Sequence, residues 1–292
     1  MAIYLKKFEN HTQYENYING SGVILPNVSI CTTEGDVHYN PYVEPVETRV
    51  VAKFNVTDTS NPTKICNRTS GFSEIEIDGV AQPSVVSAYT FNITGEHTVK
   101  YTLKNPTNIG YQAFMGCNKL TSIVIPDSVT IIGNQVFTDC TSLTSCTIDS
   151  SATYIGQNVF SGCTGLTSIE IPNSVTQLSE SAFTNCTSIT SCTIGSGVTT
   201  ISRDTFRGCT SLTSITIPDS VTIISSSAFQ DCSGLTSITS NATTAPTITS
   251  NTFRSVGYNG TLTVPSGSSG YDVWMGTGDY YLGKYNWTKV EQ

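Results

Sequence analysis

Phe160-Ser-Gly-Cys163-Thr-Gly-Leu166-Thr-Ser-Ile169-Glu-Ile171-Pro172 is the stretch from which the rest of this chain can be read. Its phenylalanine recurs as Phe114, Phe137, Phe160, Phe183, Phe206 and Phe229, always 23 residues apart, and a cysteine follows each one three residues later. A period of this length marks a solenoid, in which one supersecondary unit is stacked on the next and no unit buries its apolar face alone. The other apolar positions keep the same beat: Ile132, Ile155, Leu178, Ile201 and Ile224 in one column, Leu143, Leu166, Ile189, Leu212 and Leu235 in another. A seventh, irregular copy begins at Ile248 and Phe253, one residue late.

Within the unit, Leu120-Thr-Ser-Ile-Val-Ile125 places Ile123 and Ile125 on one face of a short strand and Ser122 and Val124 on the other. Each unit therefore contributes one strand, and the remaining residues return the chain to the next parallel strand by a brief helical or irregular path with right-handed crossover. At about 4.8 Å per strand, six units give a slab about 25 to 30 Å long. The cysteines at 117, 140, 163, 186, 209 and 232 read as rungs of a buried ladder, where a thiol acts as a small apolar group. Cys146 and Cys192 stand where other units have a strand isoleucine, with a Cys140–Cys146 or Cys186–Cys192 bridge as the alternative, and Cys31 and Cys66 lie outside the ladder.

The unit resembles the BspA-type leucine-rich repeat of bacterial surface proteins, over roughly residues 105 to 265. The resemblance implies a right-handed leucine-rich-repeat solenoid of parallel strands, here preceded by a small β-rich domain. It implies binding through the concave sheet face, where the outward columns are Ser122, Ser145, Ser168, Ser191 and Ser214 beside Val124, Thr147, Glu170, Thr193 and Thr216.

Around the repeats, the organisation expected is a segment 1–45, a small sheet or sandwich over 46–104, the solenoid over 105–247 and a degenerate repeat with an aromatic cap over 248–292. The opening, Phe8-Glu-Asn-His-Thr-Gln-Tyr14-Glu-Asn-Tyr17-Ile18, resembles N-terminal segments of structural proteins of phages and prophages of gut Bacteroides-like bacteria, which implies an anchor into a larger assembly. Residues 49–56, 72–80, 89–96 and 97–103 alternate as four strands. Tyr101 and Leu103 precede Ile123 and Ile125 by 22 residues, so the last of these strands is expected to cover the first repeat's open edge. At the other end Tyr271, Trp274, Tyr280, Tyr281, Tyr285 and Trp287 read as a cap over the last repeat, or alternatively as a platform for stacking sugar rings.

Composition narrows the function. Only 12% of residues are charged and the net charge is −8, against about 25% charged in an average domain. Residues 110–240 carry eight carboxylates and three cations with no basic stripe, which excludes nucleic acid as the partner. No apolar run is long enough to insert in a membrane, and Met1-Ala-Ile-Tyr-Leu-Lys-Lys7 does not read as a secretory signal. The repeats contain no histidine, so serine or cysteine has no base to activate it there.

No cofactor or metal motif stands out. Glu34, Asp36, His38 and Cys31 match no ligand spacing and read as a solvated turn, and Asp127, Asn173 and Asp219 read as turn residues accepting backbone N–H groups rather than as a calcium site. The expectation is a non-catalytic recognition or adhesion protein, virion-borne or extracellular, that binds a protein or glycan on a cell or mucosal surface. A structural spacer and a bacterial cell-surface adhesin are the alternatives, and a homo-oligomer is left open.

Overall fold

The computed structural model describes residues 49–292 and, before them, only the antiparallel pairing of Ile30–Cys31 with Val37–His38. The chain divides into two compact units, residues 1–47 and 48–292. The anchor expected over residues 1–45 and the 31–38 cluster lie outside the described residues, apart from those two short strands.

From Asn108 onward the chain coils as a β-solenoid. Eight successive strands form its strand face: Leu120–Ile125, Ser145–Ile148, Ser168–Ile171, Ser191–Ile194, Ser214–Ile217, Ser237–Ser240, Thr261–Val264 and Thr288–Glu291. Register follows the 23-residue beat, with Ile123 beside Cys146, Ile169 beside Cys192 and Ile215 beside Ile238, all parallel. Pairing is interrupted between Ile148 and Ser168 and again between Ile194 and Ser214, each time after a Cys-Thr-Ile rung. A second column of two-residue strands, among them Ile131–Ile132, Tyr154–Ile155 and Gln177–Leu178, stacks in parallel on the return path.

The returns are turns, not helices; the described residues contain no α-helix, only three short 3₁₀ segments. Each return holds two residues at positive φ, such as Gln135 at 58° and Asp139 at 59°, or Asn158 at 55° and Gly162 at 74°. Two left-handed residues per turn are incompatible with a right-handed helix.

Inside, seven phenylalanines from Phe114 to Phe253 form one stack, with ring centroids 5.2 to 5.9 Å apart and planes within 16° of parallel. All are fully buried. The nine cysteines whose side chains are described are free and buried, so neither the 140–146 nor the 186–192 bridge exists. Their role is more than filling volume: Cys163 Sγ donates to the Phe137 carbonyl at 3.1 Å, and Cys140, Cys186, Cys209 and Cys232 make the same bond to the phenylalanine carbonyl 26 residues back. Threonine hydroxyls do likewise on the outer turns, for example Thr144 to the Thr121 carbonyl at 3.0 Å and Thr190 to Thr167 at 3.2 Å.

The N-terminal region departs from expectation. The strand on the edge of the first repeat is Val50–Val56, which pairs antiparallel with Leu120–Ile125. Gly95–Leu103, expected in that place, lies one strand further out, followed by Phe72–Ile77 and Val80–Ala81. Spacing alone favoured the nearer strand in sequence. Val50–Val56 buries Val50, Ala52, Phe54 and Val56 on one face and Gly95–Leu103 buries His97, Val99, Tyr101 and Leu103 in the same way, so alternation does not choose between them and the order is set by the packed sheet. Gly95–Leu103 is one nine-residue strand where two were expected, and the main sheet of the region is continuous with the first rungs, with a separate antiparallel pair of Thr63–Lys64 and Ala88–Tyr89 beside it. Tyr101 still reaches the core, its ring 5.1 Å from Phe114 and its hydroxyl donating to the Ile65 carbonyl at 2.6 Å.

Candidate recognition surface

Alternation in Ser-Cys-Thr-Ile and Ser-Ile-Glu-Ile sends every second strand residue outward, and the ladder register aligns these residues into columns. Ser145, Thr147, Ser168, Glu170, Ser191, Thr193, Ser214 and Thr216 are all exposed, Ser122 is half-buried and Val124 is 48% exposed. Ser168 lies beside Ser191 and Glu170 beside Thr193; Ser214 beside Ser237 and Thr216 beside Thr239. None of these side chains is held by packing, and Glu170 is the single charge among them.

The repeats alone begin these columns at Ser122 and Val124, but the edge strand extends them. Lys53 stands opposite Ser122 and Val51 opposite Val124, and beyond them Thr98 and Lys100 continue the same outward face. Charge gathers at this end: Lys53 pairs with Glu96 at 2.7 Å and Arg49 with Glu76 at 2.9 Å. The face thus runs from an ion-paired N-terminal sheet to a hydroxylated solenoid. Its signal in the sequence was the alternation Val-Val-Ala-Lys-Phe-Asn-Val; what was missing was which strand it would join.

The aromatic tail divides into buried and exposed rings. Tyr271, Trp274, Tyr285 and Trp287 are buried, at 1 to 6% exposure, and so present no face to a sugar ring. Trp274 covers Phe253 at 5.2 Å, taking the next place after the phenylalanine stack, and its indole N–H donates to the Pro246 carbonyl. Tyr271 donates to the Ala242 carbonyl at 2.8 Å, and the Trp287 N–H donates to Gly257 at 2.7 Å. Tyr281 is half-buried and Tyr280 is 42% exposed. Tyr258, which the sequence reading passed over, is 64% exposed.

His97 is the histidine whose side chain is described. It is buried in the N-terminal sheet with Nδ1 2.7 Å from Asp78 and Nε2 3.0 Å from the Ile93 carbonyl, so both nitrogens are engaged. Burial also pushes the thiols up, to about 11 for Cys66 and about 12 for Cys140, Cys186 and Cys232, which keeps them protonated and unreactive at neutral pH. Of the three turn residues, Asn173 accepts a backbone N–H, but from Ser196 in the next rung and not within its own turn. No group of three metal-ligating side chains occurs among the described residues.

The model of the BspA type leucine rich repeat region, in six copies, matches residues 84–213 and 177–271, more than half of the sequence. The chain belongs to the BspA-type leucine-rich repeat family. No curated protein matches it. Among solved structures, the leucine rich repeat protein of T. pallidum is 26% identical, with 54% of this chain and 78% of that one covered and a TM-score of 0.44. A leucine-rich repeat protein from Eubacterium ventriosum is 22% identical, covering 62% of this chain and 51% of that one with a TM-score of 0.48. One from Bacteroides ovatus is 24% identical, covering 62% and 56% with a TM-score of 0.38. The BspA-type chain thus spans little more than half the length of the last two.

Proposed function

We propose that this protein is a non-catalytic recognition protein of a bacterial cell surface that binds a protein partner through the strand face of its solenoid. The observation that carries the reading is the register: ten outward positions from Ser122 to Thr216 repeat in two columns, and none of them is used by the core. Membership of a repeat family of bacterial surface proteins supports this setting over attachment to a phage particle.

The face suits broad, weak contact. It lacks the Trp and Arg anchors that dominate tight interfaces, and short hydroxyls offer hydrogen bonds at little entropic cost. Its ion-paired N-terminal end gives the partner an orientation, since charge fixes register more than it adds affinity.

The test places long cations on three neighbouring rungs, Thr147→Arg, Glu170→Lys and Thr193→Arg, in protein displayed on bacteria. Adhesion to mucosal cells should fall while the melting temperature stays within a few degrees of the parent. Undiminished adhesion by the folded triple variant would remove the strand face from the account. Deletion of residues 1–45 addresses attachment separately: the solenoid should stay folded while surface display is lost.

A further inference from the structure

We infer a second binding site, for a neutral glycan, around Tyr258 in the turn that leads into Thr261–Val264. It stands apart from the strand-face reading and does not depend on it. Tyr258 is 64% exposed, the most open tyrosine among the described residues. Its ring meets that of Tyr285 edge-on, with centroids 5.5 Å apart and planes at 77°.

Tyr285 is a rigid support. It is buried, its hydroxyl accepts the Ser255 N–H at 2.8 Å and donates to the Asp279 carbonyl at 3.1 Å, and its own carbonyl accepts the Asn259 N–H at 3.0 Å. Tyr258 therefore rests edge-on against a ring that is itself held in place.

The polar groups beside it are two carboxamides and an ion pair. Asn286 donates its carboxamide to that of Asn259 at 2.5 Å. Lys284 pairs with Asp279, which raises the lysine and lowers the carboxylate. Gly260 keeps the turn seated, since a Cβ there would stand 2.3 Å from the Trp287 ring. The large exposed apolar side chains between residues 255 and 287 are Tyr258, Tyr280 and Val273, two of the three aromatic.

That combination selects the ligand class. A flat aromatic face takes the C–H face of a pyranose, while carboxamides, one carboxylate and one ammonium, each held by a partner, bond its equatorial hydroxyls. The cations here are Lys284, paired with Asp279, and Arg254 near the same carboxylate, so the three groups leave one net positive charge, too little to hold a polyanion.

The experiment is affinity electrophoresis of the full chain through gels containing β-1,4-glucan, α-1,4-glucan, β-1,4-xylan or α-mannan, with polygalacturonate and a protein-only gel as controls. At least one neutral polysaccharide should retard the protein in a manner insensitive to salt. Tyr258→Ala should weaken that retardation about tenfold, whereas Tyr258→Phe, which keeps the ring, should bind within about twofold of the parent. Thr193→Arg on the strand face should leave it unchanged. No retardation by any neutral polysaccharide, retardation by polygalacturonate alone, or equal retardation of folded Tyr258→Ala would each overturn the site.

Discussion

At the scale of single residues, one alternation gives the repeats a period of 46 residues on top of the 23. The second left-handed position of each return reads Gly116, Asp139, Gly162, Asn185, Gly208 and Asp231. A Cβ on Gly162 would stand 2.4 Å from Asp139 Oδ1, and one on Gly208 would stand 2.4 Å from Asn185 Oδ1. The polar side chain of one rung therefore occupies the space that the next rung leaves open. Gly162→Ala should cost about 1 to 3 kcal/mol, combining left-handed strain with this overlap. In an Asp139→Gly background the same change should cost measurably less, and a denaturant double-mutant cycle reads the coupling. The cysteines give a second prediction. Buried thiols held up to about 12 in the fold, against 9.0 for the ordinary thiol, bind protons more tightly folded than unfolded. Their contribution is complete below pH 9 and is lost as the pH rises from 9 to 12. Circular dichroism should show cooperative alkaline unfolding in that window, and a thiol reagent at pH 8 should label the native ladder only after denaturant is added.

Elements show how much of this fold was legible. The six Phe-Cys units were plain because every position is dictated by contact with its own copy one rung away, so period and core coincide. The N-terminal cap was not, because Val50–Val56 and Gly95–Leu103 both alternate and both end in residues able to cover Ile123; only the packed sheet decides between them. The last rung, Thr288–Glu291, was missed for a related reason. It keeps the backbone ladder with Thr261–Val264 but leaves Thr288, Val290 and Glu291 exposed, so it carries no core pattern to recognise. The candidate site was half visible. Alternation alone located the Ser and Thr columns, yet tryptophans and tyrosines near a terminus look the same whether they cap a core or face a ligand. Trp274 belongs to the first kind: Trp274→Ala should uncover Phe253 and cost about 3 to 5 kcal/mol. Val273→Ala beside it, at a 60% exposed position, should change stability by less than about 0.5 kcal/mol. Thermal melts of the two variants make the comparison.

For the whole molecule, stability should behave as a sum over rungs and their junctions, as in other solenoids. The Gly/Asx alternation makes the natural module two rungs, not one, and shortening the protein distinguishes the two. Removing residues 139–184 takes out 46 residues and joins Thr138 to Asn185, so the sequence of left-handed positions still runs Gly116, Asn185, Gly208. Removing only residues 162–184 joins Ser161 to Asn185 and sets Asp139 directly beneath Asn185, two side chains in the space of one. Such a pairing has no counterpart in the regular repeats; where Asp231 is followed by Ser255, the step has lengthened from 23 to 24 residues. The shorter, 46-residue deletion product should therefore unfold in one transition with the higher melting temperature, although it has lost an additional rung of phenylalanine, cysteine and strand. The one-rung deletion should melt lower, and Asp139→Gly in that background should recover much of the difference. If calorimetry ranks the two by the number of rungs retained, each rung is independent of its parity and the two-rung module is wrong.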